Sequence, residues 1–280
     1  MNQKTKKILE ITLLAFLFLT VVFFWGEKAF SFLSAKEQCT EDSNIAVIDI
    51  KGEIVPYALP GDDFDGAGKT VTDETSSEDV VAQINTIKTD NHIKALIFNI
   101  SSYGGNPEAS EEIMLAIKRL DKLSVAVVRD GAASGAYLIA SATNRIFASE
   151  FSDVGSIGIT MSYLDVSKKN QNDGIIYHQF ASGPYKNLGD PNKPLTDADK
   201  ALIMRDIEIL KEVFVREVAE NRKMNISKVE ELADGSIMLG ATAKDYGLID
   251  EIGDMQSAEN WIRDKLKIKP NLCQIKNPQR

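Results

Sequence analysis

Two residues in this chain have the types and surroundings for nucleophilic chemistry, Ser134 and Lys186. Ser134 lies in Gly131-Ala132-Ala133-Ser134-Gly135-Ala136-Tyr137, just after the apolar run at 124–128. That order predicts a strand, a tight turn of small residues and a helix that begins at the serine. Such a turn lifts a hydroxyl to the carboxyl edge of a sheet, beside the positive end of a helix. A hydroxyl is a poor nucleophile until a base takes its proton. The chain offers only two histidines, His92 and His178. A desolvated lysine, its pKa lowered toward neutrality, can act as the base instead. Lys186, at the end of Ala181-Ser182-Gly183-Pro184-Tyr185-Lys186, is the candidate. Each residue also has a plainer reading: serine is a favoured helix N-cap, and most lysines are solvated surface amines.

Other positions could complete a site. Gly104 and Gly105 follow the apolar run Ala95–Ile100, and glycine lets backbone N–H groups approach a carbonyl with no side chain in the way. An isolated glycine pair can equally be a strand-to-helix turn. Helix start signals do follow, with Asn106 as a cap and Pro107 and Glu108 in the first turn. Ser156 sits in Gly155-Ser156-Ile157-Gly158, where a serine is often only a turn residue. A histidine base would need His178, the one histidine downstream of Ser134, in the alternating, strand-like run 175–180. His92 stands in a polar turn after Thr89-Asp90-Asn91.

Four ordered blocks resemble the signal peptide peptidase A family, membrane-anchored Ser–Lys peptidases with the fold shared by Clp protease and crotonase. Residues 95–105 look like its strand and Ser-Pro-Gly-Gly turn, and 130–137 like its nucleophile block. Residues 154–158 look like its Gly-Ser-Ile-Gly block, and 182–186 like the Ser-Gly-x-x-Lys block that carries its general base. The resemblance covers roughly residues 44–265 and implies a role for each candidate. Ser134 is the nucleophile and Lys186 the base. The Ser156 hydroxyl aims the lysine, and the N–H groups of Gly104 and Gly135 form the oxyanion hole. It also implies peptide substrates, above all signal peptides, and a homo-oligomeric ring. Three departures stand out: Tyr103 replaces the usual proline, Ala136 replaces the second glycine of a Ser-Gly-Gly turn, and Asn187-Leu188 replaces a polar pair. They bear on loop geometry and substrate preference more than on the chemistry.

The elements that must position these residues follow from periodicity. Strand 45–50, helix 77–89, strand 95–100, helix 107–120, strand 124–128 and helix 134–143 alternate, which argues for an α/β fold with a mainly parallel sheet and helices outside it. Short strands are expected near 145–148 and 175–180, and a long helix over 196–222. Residues 57–76 are polar and glycine-rich and predict a loop that could lie over the groove. The segment 268–280 lacks a clear apolar period and is expected as a tail after a peptidase domain at 44–267.

The N-terminus has a different composition. Lys4, Lys6 and Lys7 precede an apolar run from Ile11 to Trp25. The run is short for a spanning helix but is extended on both sides, and an uncleaved anchor within residues 1–43 is expected over a cleaved signal. The lysines would stay in the cytoplasm, putting the catalytic domain on the extracytoplasmic side of the cell inner membrane. Cys39 and Cys273 are the only cysteines, and spacing leaves their pairing open. The net charge of −9 argues against nucleic-acid binding. No cofactor or metal motif is present in the sequence. Two other functions stay open, a non-catalytic membrane scaffold of the same fold and a crotonase-type acyl-CoA enzyme.

Overall fold

The computed structural model describes residues 39–58 and 74–275. The expected anchor lies outside these residues, as does most of the expected 57–76 loop. Among the described residues no helix is long and apolar enough to cross a membrane.

The first half of the chain alternates as its apolar periods require. It runs β1 (Ile45–Lys51), β2 (Glu53–Val55), β3 (Glu74–Ser76), α1 (Ser77–Thr89), β4 (Ala95–Ser102), α2 (Pro107–Lys118), β5 (Leu123–Ala133) and α3 (Gly135–Ser141). Side-chain caps start both outer helices, with Ser76 accepting from the Asp79 N–H and Asn106 from the Ala109 N–H. Then come β6 (Arg145–Ala148), β7 (Asp153–Gly155), α4 (Ser167–Asn172), α5 (Asp197–Arg222), α6 (Ile226–Leu232), β8 (Ile237–Leu239), α7 (Gly240–Tyr246), β9 (Glu251–Ile252), α8 (Met255–Leu266) and β10 (Leu272–Gln274).

The sheet order is β10-β1-β4-β5-β6-β9, parallel throughout. Parallel strands buried on both faces read as near-continuous apolar runs, and β1, β4 and β5 do. Ile48, Ile50, Phe98, Ile100 and Val128 face the helices α1 to α3 and α5. Ile45, Val47, Ile97, Val127 and Phe147 face α8 through Ala258 and Ile262. The last three residues of β5 pair with β7 in place of β6 while Ala132 still pairs with Ser102 of β4, and β7 carries β8 antiparallel on its other side. That branch brings the Ser134 turn and the Ser156 turn together.

Two segments differ from what periodicity suggests. Residues 175–180 pair with no strand, and Ile176 and Phe180 are 77% and 94% exposed. The 268–280 segment is not wholly a tail, since β10 pairs with the outer edge of β1 and Cys273 forms a disulfide with Cys39. The bridge spans 234 residues of sequence and ties the entry of the domain to its edge strand. Closing so long a loop restricts the unfolded chain strongly. Cys273→Ser is expected to cost about 2–5 kcal/mol of unfolding free energy in urea titrations. A loss below about 0.5 kcal/mol would show that the bridge does not constrain the fold.

Candidate active site

Ser134 joins β5 to α3 in a backbone conformation that side chains rarely adopt, φ 52° and ψ −127°. Among the described residues only Ser156, Lys223 and Lys267 share a positive φ without being glycine, and the last two are left-handed helix C-caps. Such strain costs about 1–3 kcal/mol and persists only where the surroundings over-determine it. Here they do. The Ser134 N–H donates to the Gly155 carbonyl at 2.8 Å, and its own carbonyl accepts from the N–H groups of Tyr137 and Leu138. The buried Tyr137 hydroxyl donates to the Leu248 carbonyl at 2.9 Å and so anchors α3 from below; burial pushes that phenol well above its ordinary pKa. The Ser134 side chain makes no capping hydrogen bond. Its hydroxyl is therefore not occupied by the helix start, which removes the plainer N-cap reading.

The glycine turn lies directly against this serine. A Cβ on Gly104, at φ 100°, would sit 2.8 Å from the Gly135 nitrogen and 2.9 Å from the Ser134 Cβ, so only glycine fits. A Cβ on Gly135 would sit 2.2 Å from the Ser110 Oγ. The two glycines of the turn differ in their amides. Gly104 is buried and donates its N–H to the Ser102 Oγ at 3.2 Å. Gly105 is exposed, and its N–H finds no acceptor among the described residues. Its nitrogen lies 3.7 Å from the Cβ position of Gly135. Gly135 opens α3, where the N–H has no partner within the helix. The pair of open amides beside Ser134 is thus Gly105 and Gly135, rather than the expected Gly104 and Gly135. Ser102, which engages the Gly104 amide and donates to the Gly52 carbonyl at 2.6 Å, is a supporting residue that the sequence did not single out.

A groove opens beside the serine, floored by Leu138, Ile159, Val213 and Phe214, with Glu108 and Glu111 on its rim. Apolar walls next to a nucleophile suit an apolar side chain of a bound peptide. Tyr103, before the glycines, donates its hydroxyl to Asp153 Oδ2 at 2.8 Å, and this hydrogen bond holds the phenol above its ordinary pKa.

Ser156 adjoins Ser134 through the Gly155 carbonyl, and among the described residues no side-chain hydrogen bond links Ser156 or Lys186 to Ser134. Ser156 follows β7 at φ 50°, its N–H donating to the Ser236 carbonyl at 2.8 Å and its hydroxyl to the Gly235 carbonyl at 3.1 Å. Lys186 is exposed, in turns of the 159–195 segment, and its amine makes no hydrogen bond or ion pair among the described residues. That segment folds on itself through Tyr177 to Asp190, Tyr163 to the Lys193 carbonyl, and Asn170 to Asn192 at 2.9 Å. His178 is exposed on the same segment, and His92 is far along the sequence at the amino edge, its ring beside the Glu41 carbonyl at 2.9 Å. No metal-binding cluster occurs among the described residues.

The profile of peptidase family S49 matches residues 116–269. A candidate protease of Methanocaldococcus jannaschii is 32% identical over 198 residues, 70% of this chain and 61% of that protein. A candidate signal peptide peptidase SppA of Enterococcus faecium is 30% identical over 199 residues, 70% of this chain and 58% of that protein. The chain thus spans about three fifths of the length of these two relatives. Among solved structures, a membrane-bound stomatin-specific protease superposes with a TM-score of 0.49 at 16% identity, over 78% of this chain and 84% of that one. With a family profile matched across more than half its length, through the helix of Ser134 and the segment of Lys186, the chain belongs to peptidase family S49.

Proposed function

We propose that the chain is a membrane-anchored serine endopeptidase that uses Ser134 and Lys186 in an acyl-enzyme mechanism. One observation carries this reading: a strained serine whose hydroxyl caps nothing sits beside two open amides, at the mouth of an apolar groove. Ser134 Oγ attacks the scissile carbonyl while Lys186 accepts its proton, and the oxyanion that forms is held by the Gly105 and Gly135 N–H groups. Fixed donors aimed at a developing oxyanion are usually the largest electrostatic contribution to acyl transfer. Lys186 then protonates the leaving amine, and water hydrolyses the acyl-enzyme. Ser156 orients the lysine.

Lys186 is exposed in the single chain, and so are the apolar side chains that share its segment, Leu164, Ile175, Ile176 and Phe180. The first half of α5 exposes Met204 and Ile209 as well. So many large apolar side chains left exposed suggest an interaction site. Packing against further copies of the chain, in a ring, would cover it and desolvate the lysine segment. The substrates in this reading are membrane-associated peptides, signal peptides foremost, which suits both the apolar groove and the apolar run at 11–25. The Cys39–Cys273 bridge favours an oxidising, extracytoplasmic compartment for the domain.

The test is labelling with a membrane-impermeant fluorophosphonate on cells whose outer layers are permeable. Wild-type protein is expected to label at Ser134 without disruption of the inner membrane. Labelling that appears only after lysis would overturn the topology, and labelling that survives in Ser134→Ala would overturn the nucleophile.

A further inference from the structure

Tyr103 stands where the signal peptide peptidase A resemblance usually places proline, before Gly104 and Gly105. A proline fixes φ near −65° and stiffens the approach to the glycines. Tyrosine does not, and two consecutive glycines are the freest backbone a chain can offer. The structure shows what restrains the turn instead. The hydroxyl end of the Tyr103 ring lies against Gly131, close enough that a Cβ there would sit 3.0 Å from Cζ and 3.3 Å from Cε1 and from the hydroxyl oxygen. Its hydroxyl reaches on to Asp153 Oδ2 at 2.8 Å. Asp153 is the cross-strand partner of Gly131 in the β5–β7 ladder. One side chain therefore spans from the β4–α2 turn across β5 to β7, three residues before β5 delivers Ser134. Tyr103 is the last residue before Gly104 and Gly105 with a side chain able to make such a contact.

We propose that Tyr103 and Asp153 form a clasp that fixes the Tyr103-Gly104-Gly105 turn and so holds the Gly105 amide at the oxyanion position. Both are positioning residues: neither touches the reacting atoms. The proposal rests on the reading of the Ser134 turn as the catalytic centre. It makes Gly131 part of the device, because a Cβ there would crowd the end of the ring. It also explains why an aromatic residue that is 53% exposed is tied down at its tip.

The test compares wild type with Tyr103→Phe, Asp153→Ala, the double variant, Asp153→Asn and Tyr103→Pro. Loss of an oxyanion donor outright costs about 10²–10³-fold in kcat, so a loosened donor is expected to cost about 10-fold. Tyr103→Phe and Asp153→Ala should each lower kcat by about that factor, with KM within about twofold. The double variant should be no worse than either single one, since both remove the same bond. Asp153→Asn keeps an acceptor oxygen and should keep kcat near wild type. Tyr103→Pro should recover kcat as well, by restraining φ directly; the Tyr103 N–H has no backbone acceptor that proline would break. Amide hydrogen exchange of residues 104–106 should speed up in Tyr103→Phe and not in Tyr103→Pro. Wild-type kcat and exchange in Tyr103→Phe would overturn the clasp, and so would Asp153→Asn as impaired as Asp153→Ala. A Ser134→Ala protein as active as wild type would instead refute the catalytic reading, and the exchange measurement would still decide whether the clasp holds the turn.

Discussion

Ser134→Ala is expected to abolish acyl-enzyme formation and to lower kcat by at least about 10⁴-fold, because the proposed attacking oxygen is gone and no other hydroxyl occupies the β5–α3 turn. The fold survives, since the Ser134 side chain makes no hydrogen bond that the turn depends on. A second substitution at the same position separates chemistry from architecture. Ser134→Gly is equally inactive but more stable than wild type, by about 1 kcal/mol, because glycine adopts a φ of 52° without the strain a Cβ brings. Urea denaturation of the two variants gives the comparison. A Ser134→Gly protein less stable than Ser134→Ala would mean that the positive φ is not strained in the folded chain. Appreciable peptide cleavage by either variant would mean that the nucleophile lies elsewhere.

That trade of stability against activity is written in the sequence only in part. Gly131 to Tyr137 announce a strand, a small-residue turn and a helix, because apolar runs and glycines carry that information locally. The alternation through 77–141 was readable for the same reason: α1 and α2 bury one face at a 3.6-residue period, while α3 is buried all round. Which glycine offers its amide was not readable. Gly104 and Gly105 are identical in type and adjacent, and only the tertiary approach of the Ser102 hydroxyl to the Gly104 N–H distinguishes them. The Tyr103–Asp153 contact joins positions 50 residues apart and left no local trace.

Two misjudged segments teach the same lesson from the other side. Residues 175–180 alternate in a strand-like way, but apolar residues occur at both parities, Ile175 and Tyr177 on one and Ile176 and Phe180 on the other. No single face exists to bury, and within one chain the segment stays exposed. Leu272–Gln274 is too short to show a period, and it becomes a strand because the edge of β1 and the bridge to Cys39 receive it. Short segments whose structure is imposed by distant partners cannot be read locally.

Lys186 supplies the second large effect. In the proposed mechanism the proton acceptor must be unprotonated when Ser134 attacks, so Lys186→Ala should remove the base and lower kcat by about as much as Ser134→Ala. Lys186→Arg is as inactive despite its similar length, because a guanidinium stays charged at every usable pH. Ser156→Ala is impaired less, since it removes an orienting hydroxyl and not the base. His178→Ala retains wild-type activity. If copies pack over the exposed lysine segment as proposed, activity should also depend on assembly. Phe180→Asp, at the most exposed apolar position of that segment, should lower both the assembled fraction in analytical ultracentrifugation and kcat, while leaving the fold of the single chain intact. The measurement is peptide cleavage against pH for all five variants, with the sedimentation profile of each. Wild-type activity in Lys186→Arg combined with its loss in His178→Ala would assign the base to the histidine. Full activity in a monomeric Phe180→Asp protein would show that the lysine reaches Ser134 within one chain, through a movement of the 159–195 segment and not through packing between copies.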